Sequence, residues 1–519
     1  MPDIPQFIAD LDASYQFSGA AITLGAGMAD GEVQTNHLVK IPVKMMNRHG
    51  LIAGATGTGK TKSLQLIAEG LSAAGVPVLL MDIKGDLSGI AKPGTDNPKI
   101  QERASKIGVT WNPQQFPVEL LSLSNQPGVR LRATVTEFGP VLFSKILGLN
   151  DTQQSVMAII FKYSDDKNLP LVDLQDLKAL MQYMGDEGKE EVTKLYGNIS
   201  PATLSTILRK IIELEQQHAG VFFGEPSFDP HDLLRTDLNG RGYISILRLT
   251  DIQDRPKLFS TFMLSLLAEV YSALPEVGDP DKPKLVLFID EAHLIFDEAT
   301  KELLDQIETT MKLIRSKGVG VFYCTQNPQD VPPAVLSQLG LKVQHALRAF
   351  TAADRKTIER AAENFPESSY YNVAEVLTQM GIGEALVTAL NEKGIPTMLV
   401  HTMICPPSSR MDVLQDAEIN DLANGSQLVR VYRETLDRQS AFEILQARMN
   451  DAKGEAEEKA AQEKEPRPGK GNKPQPSAFD KVLKSPVVRS IGVAVAGAVT
   501  RSLLGSLGLK TRTTTRRRK

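Results

Sequence analysis

The chain has 519 residues, 42% of them apolar, which is ordinary for a globular protein with two or three domains and a large core. Its formal charge of −4 is uneven: residues 481–519 hold ten Lys or Arg and no Asp or Glu, leaving about −14 on residues 1–480. An acidic body argues against broad adhesion to nucleic acid, so any contact has to be local, as in a lined channel.

Only Cys324 and Cys405 occur, in no C-x-x-C spacing, so neither a disulfide framework nor a zinc site is indicated and a reducing cytoplasm is expected. The start Met1-Pro-Asp-Ile-Pro-Gln6 lacks the features of a signal peptide. The apolar run Ile491–Val499 falls short of the about 20 residues that span a bilayer, so no integral membrane segment is expected.

Residues 1–46 alternate short apolar and polar pieces with Gly19, Gly25, Gly27 and Gly31, predicting a small β element that leans on the larger domain beginning at residue 47. Arg48 stands just before the strand-like run Leu51-Ile-Ala53. That run enters Gly54-Ala55-Thr56-Gly57-Thr58-Gly59-Lys60-Thr61, a complete G-x-x-x-x-G-K-T loop. Glycines let backbone N–H groups curl around phosphates, Lys60 reaches the β and γ oxygens, and the Thr61 hydroxyl can ligate magnesium. Residues 61–70 then read as a helix whose N-terminus faces the phosphates, placing Lys62 in the same nucleotide-binding segment.

Val76–Asp82 is a buried-type strand followed by the turn Ile83-Lys84-Gly85-Asp86. Asp82 and Asp86 either act near the nucleotide, on the ligand side of the sheet, or cap the turn. Residues 113–238 carry helical periodicity and are expected to be a mostly helical insertion. Strand patterns resume at Gly242–Leu249 and again at Lys284–Ile289, the latter ending in Asp290-Glu291. This is the Walker B pattern: Asp290 would hold magnesium and Glu291 would polarise the attacking water.

A helix over residues 301–317 leads to the strand Gly318–Thr325, after which Gln326 would face the γ-phosphate or satisfy loop backbone. Further strands are expected at residues 341–347, 384–390 and 397–401, closing the core at residue 405. Residues 406–450 read as helical, 451–480 as a disordered linker, and 481–519 as a basic tail that solubilises the chain or touches nucleic acid or an anionic membrane.

From Asn47-Arg-His-Gly50 through the phosphate loop to Phe322-Tyr-Cys-Thr-Gln-Asn-Pro-Gln-Asp330, these ordered motifs resemble the HerA branch of the FtsK and HerA translocase superfamily. They are most similar to the bacterial YjgR-type ATPases, with Leu80–Leu87, Leu313–Val319 and Gln344–Thr351 supporting the likeness. The resemblance implies an α/β fold with a RecA-like P-loop core. It also implies a homo-oligomeric ring, usually a hexamer, with ATP and Mg2+ bound between neighbours. Within it Arg315, eleven residues before Gln326, matches the superfamily's arginine finger, and Arg48, twelve before Lys60, matches a second interface arginine.

The N-terminal β element is short against the HerA-type barrel, which argues against a nuclease partner. No helix-turn-helix, zinc-finger or aromatic RNA-binding signature occurs, so duplex DNA as a partner follows from the ring likeness alone. The expected function is a magnesium-dependent ATPase, a possible DNA helicase or translocase. Two other classes stay open: an ATPase remodelling a protein or membrane-associated client, and a nucleotide-gated scaffold with little turnover.

Overall fold

A computed structural model describes residues 3–462, apart from 218, 252–255, 297–300, 350 and 437. Its centre is one twelve-stranded sheet. In chain order the strands are β1 (Ala21–Ala29), β2 (Glu32–Pro42), β3 (Gly50–Ala53), β4 (Val78–Asp82), β5 (Val118–Ser122) and β6 (Val129–Arg130). They continue with β7 (Ile244–Arg248), β8 (Leu285–Ile289), β9 (Val319–Thr325), β10 (Leu341–His345), β11 (Glu384–Thr388) and β12 (Val400–Ile404). The spatial order is β2-β1-β12-β11-β10-β3-β9-β8-β4-β7-β5-β6. The segment from β10 to β6 is parallel throughout, and β11, β12, β1 and β2 continue it antiparallel.

The parallel strands are nearly continuous apolar runs because both faces are covered. Along β8, Leu285, Leu287 and Ile289 enter one core while Val286 and Phe288 enter the other. Each such fully buried side chain contributes about 1.5–3 kcal/mol of hydrophobic stabilisation. The first core packs against the helices Val135–Ile146, Asp151–Lys167, Leu174–Gly185 and Pro201–Gln216. The second packs against Lys60–Ala73 and the N-terminal helix Ile4–Ser14.

The N-terminal stretch contains that helix as well as strands. Asp3 caps it by accepting the Gln6 N–H, and Phe7 and Leu11 are its buried face. β1 pairs with β12 in the register Gly25↔Ile404, so the hairpin prolongs the main sheet. Gly25 has no alternative there, since a Cβ would sit 1.9 Å from the Met403 carbonyl oxygen.

Within the stretch expected to be mostly helical, residues 113–238, β5 and β6 are strands, with β5 in register against β7 at Val118↔Ile244. The five residues Val-Glu-Leu-Leu-Ser are too few for their periodicity to separate strand from buried helix. Helices begin only at Val135, behind a capping box in which Thr134 and Glu137 satisfy each other's backbone N–H groups.

The compact unit ends at Met449. Its last part includes the helices Asp416–Gly425 and Gln427–Tyr432 and the start of Ala441–Gln462. That last helix runs into the expected linker, because Ala, Glu and Lys dominate residues 452–462 and all favour helix. The remainder of the linker and the whole basic tail lie outside the described residues. Among the described residues no helix is long and apolar enough to cross a membrane.

Candidate nucleotide-binding and hydrolysis site

β3 lies between β10 and β9, so the loop leaving its carboxyl end is held from both sides. The Gly54 N–H donates to the Thr325 carbonyl at 3.3 Å and the Ala55 N–H to the Ala346 carbonyl at 2.8 Å. Gly54 has φ +148°, and a Cβ on it would lie 2.5 Å from the His345 Cβ. Gly57, at φ +77°, has nothing within 4 Å of where a Cβ would be, so the tip of the loop is open to a ligand. Thr58 Oγ1 donates to the Ala55 carbonyl at 2.7 Å, while Thr56 is exposed. Gly59 packs against Gly383, whose N–H donates to the Thr58 carbonyl at 2.9 Å.

Lys60 opens the helix Lys60–Ala73, and its amine donates to the Gly54 carbonyl at 2.6 Å and the Ala55 carbonyl at 3.2 Å. Burial lowers its pKa and the nearby Lys84 lowers it further, against Glu291 and Asp290. Thr61 follows in the first turn. Lys62 Nζ donates to the Met411 carbonyl at 2.5 Å and to Gln65 Oε1 at 3.2 Å, tying the helix to the segment after Pro407. Beside the loop is a cavity of about 350 Å3 whose apolar walls include Ile100, Ile382, Pro406 and Pro407. Such walls suit a flat aromatic base.

β4 and β8 are parallel neighbours in the register Met81↔Ile289, so Asp82 and Asp290 leave adjacent strand ends. Asp82 caps the turn: Oδ1 accepts the Gly85 N–H at 2.7 Å and the Asp86 N–H at 3.2 Å, and Oδ2 the Leu87 N–H at 3.1 Å. Burial pushes its pKa up to about 6 despite those bonds. Asp290 is pushed up to about 7 by burial and the Glu291 charge, with Lys84 opposing. Its Oδ2 is buried with no hydrogen-bond partner, as is Asp86 Oδ1. A buried carboxylate oxygen with no partner, at a strand end on the phosphate-loop side of the sheet, suits a hard divalent cation such as magnesium.

Glu291 adopts φ +46°, a strained conformation for a residue with a side chain. Its Oε1 is ion-paired with Lys84 and His293 Nδ1 lies 3.2 Å from its Oε2, while neither oxygen has a partner in hydrogen-bond geometry. Gln326 follows β9, the strand between β3 and β8, and is exposed between the phosphate loop and the carboxylates.

Arg48 and Arg315 lie elsewhere. Both precede the amino ends of their strands, β3 and β9, whereas the loop and carboxylates follow the carboxyl ends. The seven residues of β9 separate the two edges by roughly 23 Å at about 3.3 Å per residue. The arginines share one partner: Arg48 Nη2 lies 3.1 Å and Arg315 Nη2 3.8 Å from Asp279 Oδ1. Burial lowers the Arg315 pKa, with Arg48 adding and Asp279 opposing.

Sequence reasoning missed three groups around this site. His49, buried and at φ +58°, accepts the Val321 N–H at Nδ1 (3.0 Å) and donates from Nε2 to the Met311 carbonyl (2.9 Å). It thereby clamps the Arg48 segment to the helix end that carries Arg315. Lys84 was legible only as a turn residue, although a lysine at the carboxyl end of a strand beside a phosphate loop was a usable signal. The segment Pro406–Met411, whose Ser408 and Ser409 bind the buried Glu69 carboxylate, carries no motif.

Among curated relatives, the DNA double-strand break repair helicase HerA of Saccharolobus solfataricus is 22% identical over 404 residues, covering 75% of this chain and 71% of that protein. A probable helicase of Methanocaldococcus jannaschii is 33% identical over 154 residues, but the match spans only 28% of either protein. Among solved structures, the plasmid coupling protein TrwB in complex with a non-hydrolysable ATP analogue superposes with a TM-score of 0.51 at 16% identity. That superposition covers 78% of this chain and 95% of the other. It shows a shared fold, an α/β P-loop architecture on a mainly parallel sheet. Residues 28–512 match the helicase HerA-like C-terminal family, and the chain belongs to that family.

Proposed function

We propose that the protein is a magnesium-dependent ATPase motor that hydrolyses ATP between neighbouring copies in a homo-oligomeric ring, six in the usual HerA-type assembly, and couples turnover to movement along duplex DNA. The observation that carries the ring reading is the placement of Arg48 and Arg315. They are paired on the sheet edge opposite their own phosphate loop, too far away to serve it, where a neighbour's nucleotide is the natural target.

In this reading the backbone of Gly54–Thr61 and the Lys60 amine bind the phosphates. Asp290 and Thr61 hold magnesium, which when bound neutralises phosphate charge. Glu291 orients the attacking water and takes up its proton, Gln326 contacts that water or the terminal phosphate, and the neighbour's arginines stabilise charge on the transferred group. DNA as the substrate is supported by membership of the helicase HerA-like family and by the likeness to the repair helicase HerA.

The test is ATP turnover against protein concentration, with and without long duplex DNA, at low and moderate salt. Turnover should rise with assembly and be stimulated several-fold by duplex DNA, less so as salt rises. Assembly-dependent turnover indifferent to DNA would remove the DNA half and favour a protein or membrane client. Nucleotide binding without turnover at any concentration would favour a scaffold.

A further inference from the structure

Glu291, the residue that would orient the attacking water, is ion-paired through Oε1 with Lys84, and His293 Nδ1 lies 3.2 Å from its Oε2, although neither oxygen has a partner in hydrogen-bond geometry. The carboxylate side chain is only 6% exposed, so this is no solvated surface pair. In that arrangement the Lys84 ammonium offsets the carboxylate's charge and weakens Glu291 as an acceptor for the proton of an attacking water, so full activity requires the lysine to leave.

Lys84 is the partner placed to leave. Its turn is fixed by Asp82, whose carboxylate accepts the backbone N–H groups of Gly85, Asp86 and Leu87. The lysine is thus projected from a rigid base at the end of β4, beside the end of β8. Its side chain is 38% exposed, which leaves the amine room to swing. The amine also bears on Lys60, whose pKa is lowered first by burial and next by Lys84. Two like charges therefore bear on each other at the carboxyl ends of the strands, and an anionic phosphate group bound beside them would relieve their repulsion.

We infer that Lys84 is a second phosphate-contacting residue, which holds Glu291 in the resting site and transfers to the terminal phosphate of a bound nucleoside triphosphate, freeing the carboxylate. The inference rests on the ATPase reading and adds to it how the site distinguishes triphosphate from diphosphate. A terminal phosphate carries more negative charge than the single carboxylate it displaces, so transfer is favoured when it is present. A diphosphate ends short of Lys84 and leaves the Lys84–Glu291 pair closed. Glu291 is then idle after each turnover until fresh triphosphate arrives.

The experiment measures binding of ADP and of a slowly hydrolysed ATP analogue, both with magnesium, to the full chain and its Lys84→Ala and Lys84→Arg variants. Loss of one charge-assisted contact predicts that Lys84→Ala lowers the preference for the triphosphate by about ten- to a hundredfold. ADP affinity should stay within about twofold, consistent with a contact made only to the terminal phosphate, and serves as the control for folding. Lys84→Arg should restore most of the preference, since a guanidinium also pairs with phosphate. An unchanged preference in Lys84→Ala, with ADP still bound, would overturn the inference and leave the ATPase reading standing. Failure of the unsubstituted protein to bind either nucleotide would overturn both.

Discussion

His49 offers a clean test of how the arginine-bearing edge is built. Its ring is buried between the Met311 carbonyl and the Val321 N–H, so a proton on Nδ1 would break a hydrogen bond and place a charge beside Arg48 and Arg315. Burial first, and the two arginines after it, lower its pKa from 6.5 to about 4, against the Met311 bond. Between those values the unfolded chain holds the proton and the folded chain does not. The histidine's contribution to stability is therefore fully present above pH 6.5 and is lost as pH falls towards about 4. At 1.36 kcal/mol per unit the span amounts to about 3 kcal/mol. The perturbation is His49→Gln, which keeps a donor and an acceptor but does not titrate. Glutamine at φ +58° adds about 1 kcal/mol of strain, and that offset does not vary with pH. Asp82, Asp290 and Glu269, whose pKa values are raised, act with the opposite sign, so the comparison has to be a difference between two proteins. Denaturant unfolding followed through Trp111, the sole tryptophan, reports it. The stability of the wild type relative to the variant should fall by about 3 kcal/mol from pH 7 to pH 4. Parallel pH curves would refute the reasoning.

Further expectations concern the phosphate loop and the turn behind Lys84. Gly54→Ala forces a Cβ to 2.5 Å from the His345 Cβ at φ +148° and should cost about 1–3 kcal/mol of stability together with nucleotide binding, read by thermal shift with and without ADP. Lys60→Ala should lose nucleotide binding, whereas Arg315→Ala should keep it and lose turnover by about 10³- to 10⁵-fold, as removal of an arginine finger does. Asp82→Asn turns one acceptor into a donor facing a backbone N–H. It should destabilise the turn by about 1–3 kcal/mol, visible as faster hydrogen exchange at Gly85–Leu87.

The centre of the fold was legible because its strands are buried on both faces and read as unbroken apolar runs. Val78–Asp82, Leu285–Ile289 and Val319–Thr325 each end where the sequence turns polar, and those polar ends are the site. Periodicity served less well at Val118–Ser122, where a short strand adjoins a helical region, and at Ile4–Ser14, a short helix preceding the hairpin. The pairing of β1 with β12 joins residues almost 380 apart in the chain, and no local pattern encodes it.

The site divides in the same way. Lys60, Asp290 and Glu291 announce themselves because their chemistry requires those types at those spacings. Of the two roles open to Asp82, the hydrogen bonds select the cap. The strap that binds Lys62 and Glu69 does so through backbone groups and serines, which any loop supplies. Arg48 and Arg315 were named through family likeness, and what the geometry adds is their convergence on Asp279.

The most direct test of the central claim, that one copy completes the active site of the next, is complementation. Lys60→Ala and Arg315→Ala proteins are each expected to be inactive alone, the first lacking a phosphate grip and the second lacking the arginine for its neighbour. Mixed and allowed to exchange, they should recover a substantial part of wild-type ATP turnover, because a Lys60→Ala copy still presents Arg315 to an intact site beside it. A mixture that co-assembles yet stays as inactive as its components would contradict the account.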